Sequence, residues 1–218
     1  MYKLVIFDLD GVVTDTAEYH YLAWKQLANK IGIDIDREFN EQLKGVGRID
    51  SLERILATQN LNNVYNNEAK NALADEKNEY YLGLINQMTP EDILPGIIDL
   101  LTWLKENGVH IALGSASRNA PTIVDKLGVT QWFDYIVNPD SVKLGKPAPD
   151  LFLKAAMHFD IEPERCIVVE DATSGIQAAK DGYMYAVGVG DKDVLYLADQ
   201  VVESTDLLLR VFEKLIIL

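Results

Sequence analysis

The feature that most constrains this chain is a series of short apolar runs, several of them rich in β-branched residues, at 4–7, 109–113, 135–137, 166–169, 186–189 and 201–202. Runs this short, with no polar residue alternating through them, are how strands read when a parallel sheet is covered on both faces. Helical patterns separate most of them. Gly108 and Gly128 each close such a pattern just before a strand, as C-terminal caps do. The alternation predicts an α/β fold: a Rossmann-like parallel-sheet core with helices on both faces.

One stretch breaks the rhythm. Between about Thr16 and Thr89 no strand is legible, only helical patterns. Asp15-Thr16-Ala17-Glu18 and Asp50-Ser51-Leu52-Glu53 have capping-box spacing. A long polar helix is expected over 67–87, with Ala69, Leu73, Tyr80, Leu84 and Met88 forming its packed face. Thr89-Pro90-Glu91-Asp92 starts a further element with proline in first position, and the asparagine-rich 60–67 reads as a loop. Residues 16–88 are therefore expected to be an inserted all-helical cap domain, and 1–15 with 89–218 the core domain. A domain tethered by two connections can close over a site beneath it.

Composition narrows the function. At 218 residues the chain can build a core domain plus one insertion. A net charge of −14 argues against nucleic acid or an anionic membrane as partner, since both need basic surface. No run approaches the ~20 apolar residues of a membrane span. The first residues read as a buried strand rather than a leader, so a cytoplasmic protein is expected. A monomer is the expected state. Cys166, the single cysteine, opens an apolar run, which fits packing and excludes an internal disulfide or multi-cysteine zinc site. Gly188-Val189-Gly190 is too short for a dinucleotide fingerprint, and no phosphate-binding loop of the Lys-Ser/Thr type is present.

In an open parallel sheet, ligands bind beyond the carboxyl ends of the strands. There the runs end in Asp8-Leu9-Asp10-Gly11, Gly114-Ser115-Ala116-Ser117 and Glu170-Asp171, with Lys146 held in Gly145-Lys146-Pro147. Singly, these could be surface acids, a helix cap and a solvated turn lysine. Together they place several carboxylates at one edge, where they repel unless a cation sits among them. Oxygen ligands favour a hard ion, and Mg²⁺ suits phosphate chemistry. Asp8 can then attack phosphorus, Asp10 can move the proton, and Lys146 with backbone N–H groups can share the charge. A substrate phosphorylated at both ends needs a second cationic site, for which Arg48 and Arg118 are available. Thr16, His20 and Trp24 recur at i, i+4 and share one helix face; cap packing is the preferred reading for Trp24. His110 and His158 read as surface or edge positions.

These four motifs, in this order along the whole chain, resemble the haloacid dehalogenase superfamily of phosphotransferases. More specifically the chain resembles the β-phosphoglucomutase subfamily. That likeness rests on Asp8 through His20, on Leu43-Lys44-Gly45-Val46-Gly47-Arg48, on Ser115 through Ala120, and on Lys146-Pro147-Ala148-Pro149-Asp150. The resemblance implies a Mg²⁺ enzyme interconverting β-glucose 1-phosphate and glucose 6-phosphate through β-glucose 1,6-bisphosphate. It makes Asp8 the nucleophile and Asp10 the general acid/base. Asp8, Glu170, Asp171 and the Asp10 carbonyl would hold the metal. Ser115, Ala116 and Lys146 would bind the transferring phosphoryl group, and Arg48, Ser117, Arg118 and Asn119 the second phosphate. Thr16, His20 and Lys44 would couple cap closure to Asp10, with Trp24 and Gly45 also beside the sugar. Gly47 stands where the subfamily often has Ser, and Arg118 where it has Lys. Two rival functions share these residues: a sugar-phosphate phosphatase that admits water, and a non-catalytic sugar-phosphate binding protein.

Overall fold

The computed structural model describes residues 1–217. In chain order the elements are β1 (Leu4–Phe7), α1 (Ala17–Lys30), α2 (Arg37–Glu41), α3 (Arg48–Ala57), α4 (Asn67–Ile85), α5 (Ile97–Glu106), β2 (His110–Leu113), α6 (Ala120–Lys126), β3 (Tyr135–Ile136), α7 (Asp150–His158), β4 (Cys166–Glu170), α8 (Thr173–Asp181), β5 (Tyr185–Val189), β6 (Gln200–Val202) and α9 (Leu208–Ile217). Every expected strand is present. All pair in parallel in one six-stranded sheet of order β3-β2-β1-β4-β5-β6. The order reverses beside β1, and that is where such sheets open a ligand crevice.

Both faces of the sheet are covered, so the strands are largely apolar, with His110, Glu170 and Gln200 confined to strand ends. Val5 and Phe7 pack with α5, α6 and α9 through Leu100, Ile123 and Phe212, while Leu4 and Ile6 pack with α7 and α8 through Phe152 and Ile176. The α1–α4 segment has a third apolar cluster, with Trp24, Leu27, Ile33, Leu52 and Ile55 at its centre. Its two connections to the sheet are pinned to each other. Leu94 N–H donates to the Val13 carbonyl at 3.0 Å, and Thr14 Oγ1 to the Asp92 carbonyl at 2.7 Å.

Local details of the helical segment differ from expectation. Neither proposed capping box forms there. Asp15 does accept the Ala17 N–H at 2.9 Å, but Glu18 is drawn away to Arg37, and the Thr16 hydroxyl is taken by Asp10. Asp50 to Glu53 lie inside α3, which already begins at Arg48, and Glu53 pairs with Lys70 at 2.6 Å. The packed face of α4 is shifted by one position: Lys70, Ala74, Lys77, Tyr81 and Ile85 are buried, whereas Tyr80 is exposed. A hydrophobic count misses that face because two of its members are lysines, Lys70 paired with Glu53 and Lys77 set against His20, Trp24 and Tyr81. A capping box that the sequence reading did not name forms at Thr89, with Asp92 accepting the Thr89 N–H at 2.7 Å.

Gly108, between α5 and β2, has φ +66°, the left-handed conformation that disfavours a side chain. A Cβ there would meet no atom within 4 Å, so only backbone strain opposes it. Gly108→Ala is expected to cost about 1 kcal/mol, seen as a lower urea midpoint at unchanged slope; an unaltered midpoint would refute the strain.

Candidate active site

Strand register assembles the site. Phe7 pairs with both Leu113 and Val169, so the next residue, Asp8, stands between Gly114 and Glu170 at the carboxyl edge. Asp8 N–H donates to the Val169 carbonyl at 2.9 Å, and Gly114 N–H to the Phe7 carbonyl at 2.8 Å. Lys146 reaches in from the loop before α7. Its ammonium donates to Asp8 Oδ1 and to Glu170 Oε1, each at 2.6 Å, with its side chain fully buried. Burial works against that charge, but Asp8 and Glu170 outweigh it and raise the lysine pKa.

Asp8, Glu170 and Asp171 offer carboxylate oxygens that all lie within 4.8 Å of one another. One lysine does not balance three acids. Burial first, then Glu170 and Asp8, push the Asp171 carboxyl well above its ordinary range. An all-oxygen set with an excess of negative charge fits Mg²⁺. The Asp10 side chain turns elsewhere: it accepts from the Thr16 hydroxyl and lies 3.9 Å from His20 Nε2. Burial, and next the Asp8 charge, push Asp10 up to about 7. A carboxyl poised there can both give and take a proton at neutral pH.

A cavity of about 560 Å³ opens above these groups. Asp8, Asp10, Lys146 and Asp171 line it from the sheet edge, as do Ser115, Ala116, Ser117, Arg118 and Asn119 beyond β2. His20, Trp24, Lys44, Gly45 and Arg48 line it from the helical segment. Of the residues expected from sequence, Thr16 and Glu170 are fully buried behind this lining rather than part of it. Ser115 Oγ accepts the Ser117 N–H at 3.0 Å and Ser117 Oγ the Asn119 N–H at 3.2 Å, which shapes the loop after β2 into a turn. Lys44 pairs with Glu41 at 2.8 Å, and its carbonyl accepts from Ser174 of α8 at 3.3 Å. Arg118 is engaged by Asp140 at 2.6 Å. Trp24 belongs to the helical segment's core, yet its edge reaches the cavity.

Three residues of α4 escaped the sequence reading. Asn78 Oδ1 accepts from Arg48 at 2.8 Å and from Asn119 at 2.7 Å, joining the helical segment to the sheet domain. Lys77 lies 3.0 Å from His20 Nδ1, with its ammonium 4.7 Å from the Trp24 ring centre and 4.5 Å from that of Tyr81. Tyr81 donates to Thr16 Oγ1 at 3.1 Å. The available signal was the i, i+4 spacing of Lys77, Tyr81 and Ile85, obscured because lysine scores as polar. Burial, then Lys77 and Arg48, hold the His20 pKa well below its ordinary value. A neutral His20 accepting from Lys77 at Nδ1 carries its own proton on Nε2, facing Asp10.

Burial and then the Arg48 charge pull Lys77 down to about 7 from 10.5. The unfolded chain therefore binds more protons than the folded one between those values, and stability rises with pH across that window. Lys77→Met is expected to raise thermal stability most below pH about 7, with the gain shrinking towards pH 10.5. Melting temperatures of both proteins across that range test this; a gain independent of pH would contradict it.

Comparison with known proteins agrees with this geometry. The family model described as haloacid dehalogenase-like hydrolase matches residues 2–182. The chain is 49% identical over 213 residues to a β-phosphoglucomutase of Bacillus subtilis, covering 97% of this chain and 94% of that one. It is 34% identical over 192 residues to a fructose-1-phosphate phosphatase of Escherichia coli, covering 86% and 96%. The crystal structure of a β-phosphoglucomutase from Clostridium difficile superposes with a TM-score of 0.96 at 46% identity, over 98% of this chain and 96% of that one. With strand-end acids, a buried lysine and a helical insertion arranged as described, the chain belongs to the haloacid dehalogenase-like hydrolase family.

Proposed function

We propose that this protein is a Mg²⁺-dependent β-phosphoglucomutase, converting β-D-glucose 1-phosphate to D-glucose 6-phosphate and back. The observation that carries the reading is one cavity with two separate sets of phosphate-binding groups. Lys146 and Ser115 stand beside Asp8, while Arg48 and Asn119, joined through Asn78, form the second set. A phosphatase needs only the first. The similarity to the Bacillus enzyme over nearly the full length of both chains supports the same reading. Residues 16–88 act as a cap over a core formed by 1–15 and 89–218.

In this mechanism Asp8 carries a phosphoryl group between half-reactions. The C6 hydroxyl of β-glucose 1-phosphate attacks phosphorus on Asp8, the acyl-phosphate bond breaks, and Asp10 takes the hydroxyl proton. The product, β-glucose 1,6-bisphosphate, turns end for end. Asp8 then attacks the C1 phosphate, the P–O bond to C1 breaks, and Asp10 returns its proton to the departing sugar oxygen. Lys146 neutralises charge on the transferring group, and Arg48 with Asn119 grips the phosphate that is not reacting. Asp8, Glu170 and Asp171 would hold Mg²⁺, which when bound supplies positive charge to the phosphoryl oxygens. Cap residues exclude water while the acyl phosphate is present.

The second reading, a sugar-phosphate phosphatase, draws on the 34% identity to the Escherichia coli enzyme. One assay separates them: protein with Mg²⁺, β-glucose 1-phosphate and a trace of bisphosphate, scored for glucose 6-phosphate and free phosphate. Isomer with little free phosphate is expected; free phosphate alone would replace mutase by phosphatase. In the same assay Asp8→Asn should lose phosphoenzyme and turnover together. Asp10→Asn should lower turnover about 10²- to 10⁴-fold while Mg²⁺ binding, followed by calorimetry, persists. Near-normal turnover by Asp8→Asn would remove the nucleophile assignment.

A further inference from the structure

Among the described residues, one buried side-chain oxygen or nitrogen atom has no hydrogen-bond partner: Oδ1 of Asn40, in the short helix α2. The residue is 6% exposed. Its helix does not need that oxygen. Asp36 caps the start of α2, accepting the Phe39 N–H at 2.8 Å. Asn40 serves the following turn through its backbone carbonyl, which accepts the Leu43 N–H at 2.9 Å. A leucine at this position would do the same. An amide oxygen left unpaired away from water lowers stability, so its presence calls for a partner outside the fold.

Asn40 lines the cavity on the wall supplied by the helical segment. Trp24, Leu43 and Ala74, on the same wall, belong to that segment's apolar cluster. Ser51 is also buried there, but its hydroxyl donates to the Val46 carbonyl at 3.4 Å. Oδ1 of Asn40 is an acceptor and requires a donor. A phosphate oxygen ionised at neutral pH has no proton to give, whereas a sugar hydroxyl has one. The terminal torsion of asparagine is soft, so the amide can turn its oxygen onto a ligand without moving α2. We propose that Asn40 is a specificity-determining residue, whose Oδ1 accepts a hydrogen bond from a ring hydroxyl on a carbon that bears neither phosphate. A wall that is otherwise apolar thereby selects a hydroxylated ring over a phosphorylated chain lacking that group. The inference rests on the mutase reading, since it makes the hydroxyl one of those on C2, C3 and C4 of glucose.

Asn40→Leu keeps roughly the size of the side chain and removes the amide. The expected result is a KM for β-glucose 1-phosphate higher by about five- to twentyfold, with kcat changed little. A bond to a hydroxyl that does not react holds ground state and transition state alike. The melting temperature of the ligand-free variant should not fall, because no bond within the fold is lost. The 2-deoxy, 3-deoxy and 4-deoxy forms of the substrate identify the hydroxyl. One of them should lower kcat/KM of the unmodified protein by at least that factor and cost Asn40→Leu nothing further. With the other two, the losses should add. A lower melting temperature with unchanged KM would make Asn40 structural and overturn the proposal, as would losses that add for all three sugars. Should Asn40→Leu fail to fold, Asn40→Ala carries the same comparison. If the unmodified protein releases phosphate and no isomer, the mutase reading fails by itself. The same comparison on KM for that hydrolysis still tests Asn40.

Discussion

The buried ammonium of Lys146, held at 2.6 Å from both Asp8 and Glu170, is the interaction on which the site depends. Two carboxylates at adjacent strand ends in an apolar edge would push each other towards protonation, and a protonated Asp8 could not act as a nucleophile. Lys146 offsets part of that repulsion, yet burial still pushes Glu170 up to about 7 and holds Asp171 well above its ordinary range. That excess of negative charge is what a divalent cation would offset at this edge. Burying such charges costs more than an apolar replacement would, so the cluster exists for chemistry rather than for stability.

The helical segment makes the same exchange. α4 buries Lys70 and Lys77 where a helix built for packing would carry leucine. Lys70 is paired with Glu53, but Lys77 faces His20 and two aromatic rings, and its charge is penalised. The return is a dense set of polar contacts converging on the region of Asp10 from a separate part of the chain. Asn78, bonded to Arg48 and Asn119 at once, joins that helix to the sheet domain across the cavity. Groups that would bind the distal phosphate are thus also groups that hold the two parts together. In the proposed mechanism, ligand binding and closure are therefore one equilibrium.

Much of this was legible beforehand for a simple reason. Strands buried on both faces must be apolar, and their polar ends are then conspicuous: Asp8, Ser115 and Glu170-Asp171 stand out against Leu4–Phe7, His110–Leu113 and Cys166–Glu170. The helical segment between β1 and β2 was legible as an absence of such runs. Misreadings fell where a polar residue had two possible partners. Glu18 was read as part of a capping box and instead serves Arg37; Glu53 was read likewise and instead serves Lys70. In both cases a partner far away in sequence offered a better hydrogen bond than the local N–H.

What the amino-acid sequence determined alone was the set of strands, the insertion between the first and the second, and the acids, hydroxyl and lysine available at their ends. Those follow from local pattern, because burial on both faces dictates composition one residue at a time. Only tertiary structure decided which side of α4 faces inward, that Lys77 is buried against His20, and that Tyr81 reaches Asp10 through Thr16. A lysine or tyrosine carries no local sign of where its polar atom will be satisfied. That is settled by whichever helix packs beside it, 57 positions away for His20 and Lys77 and 65 for Thr16 and Tyr81.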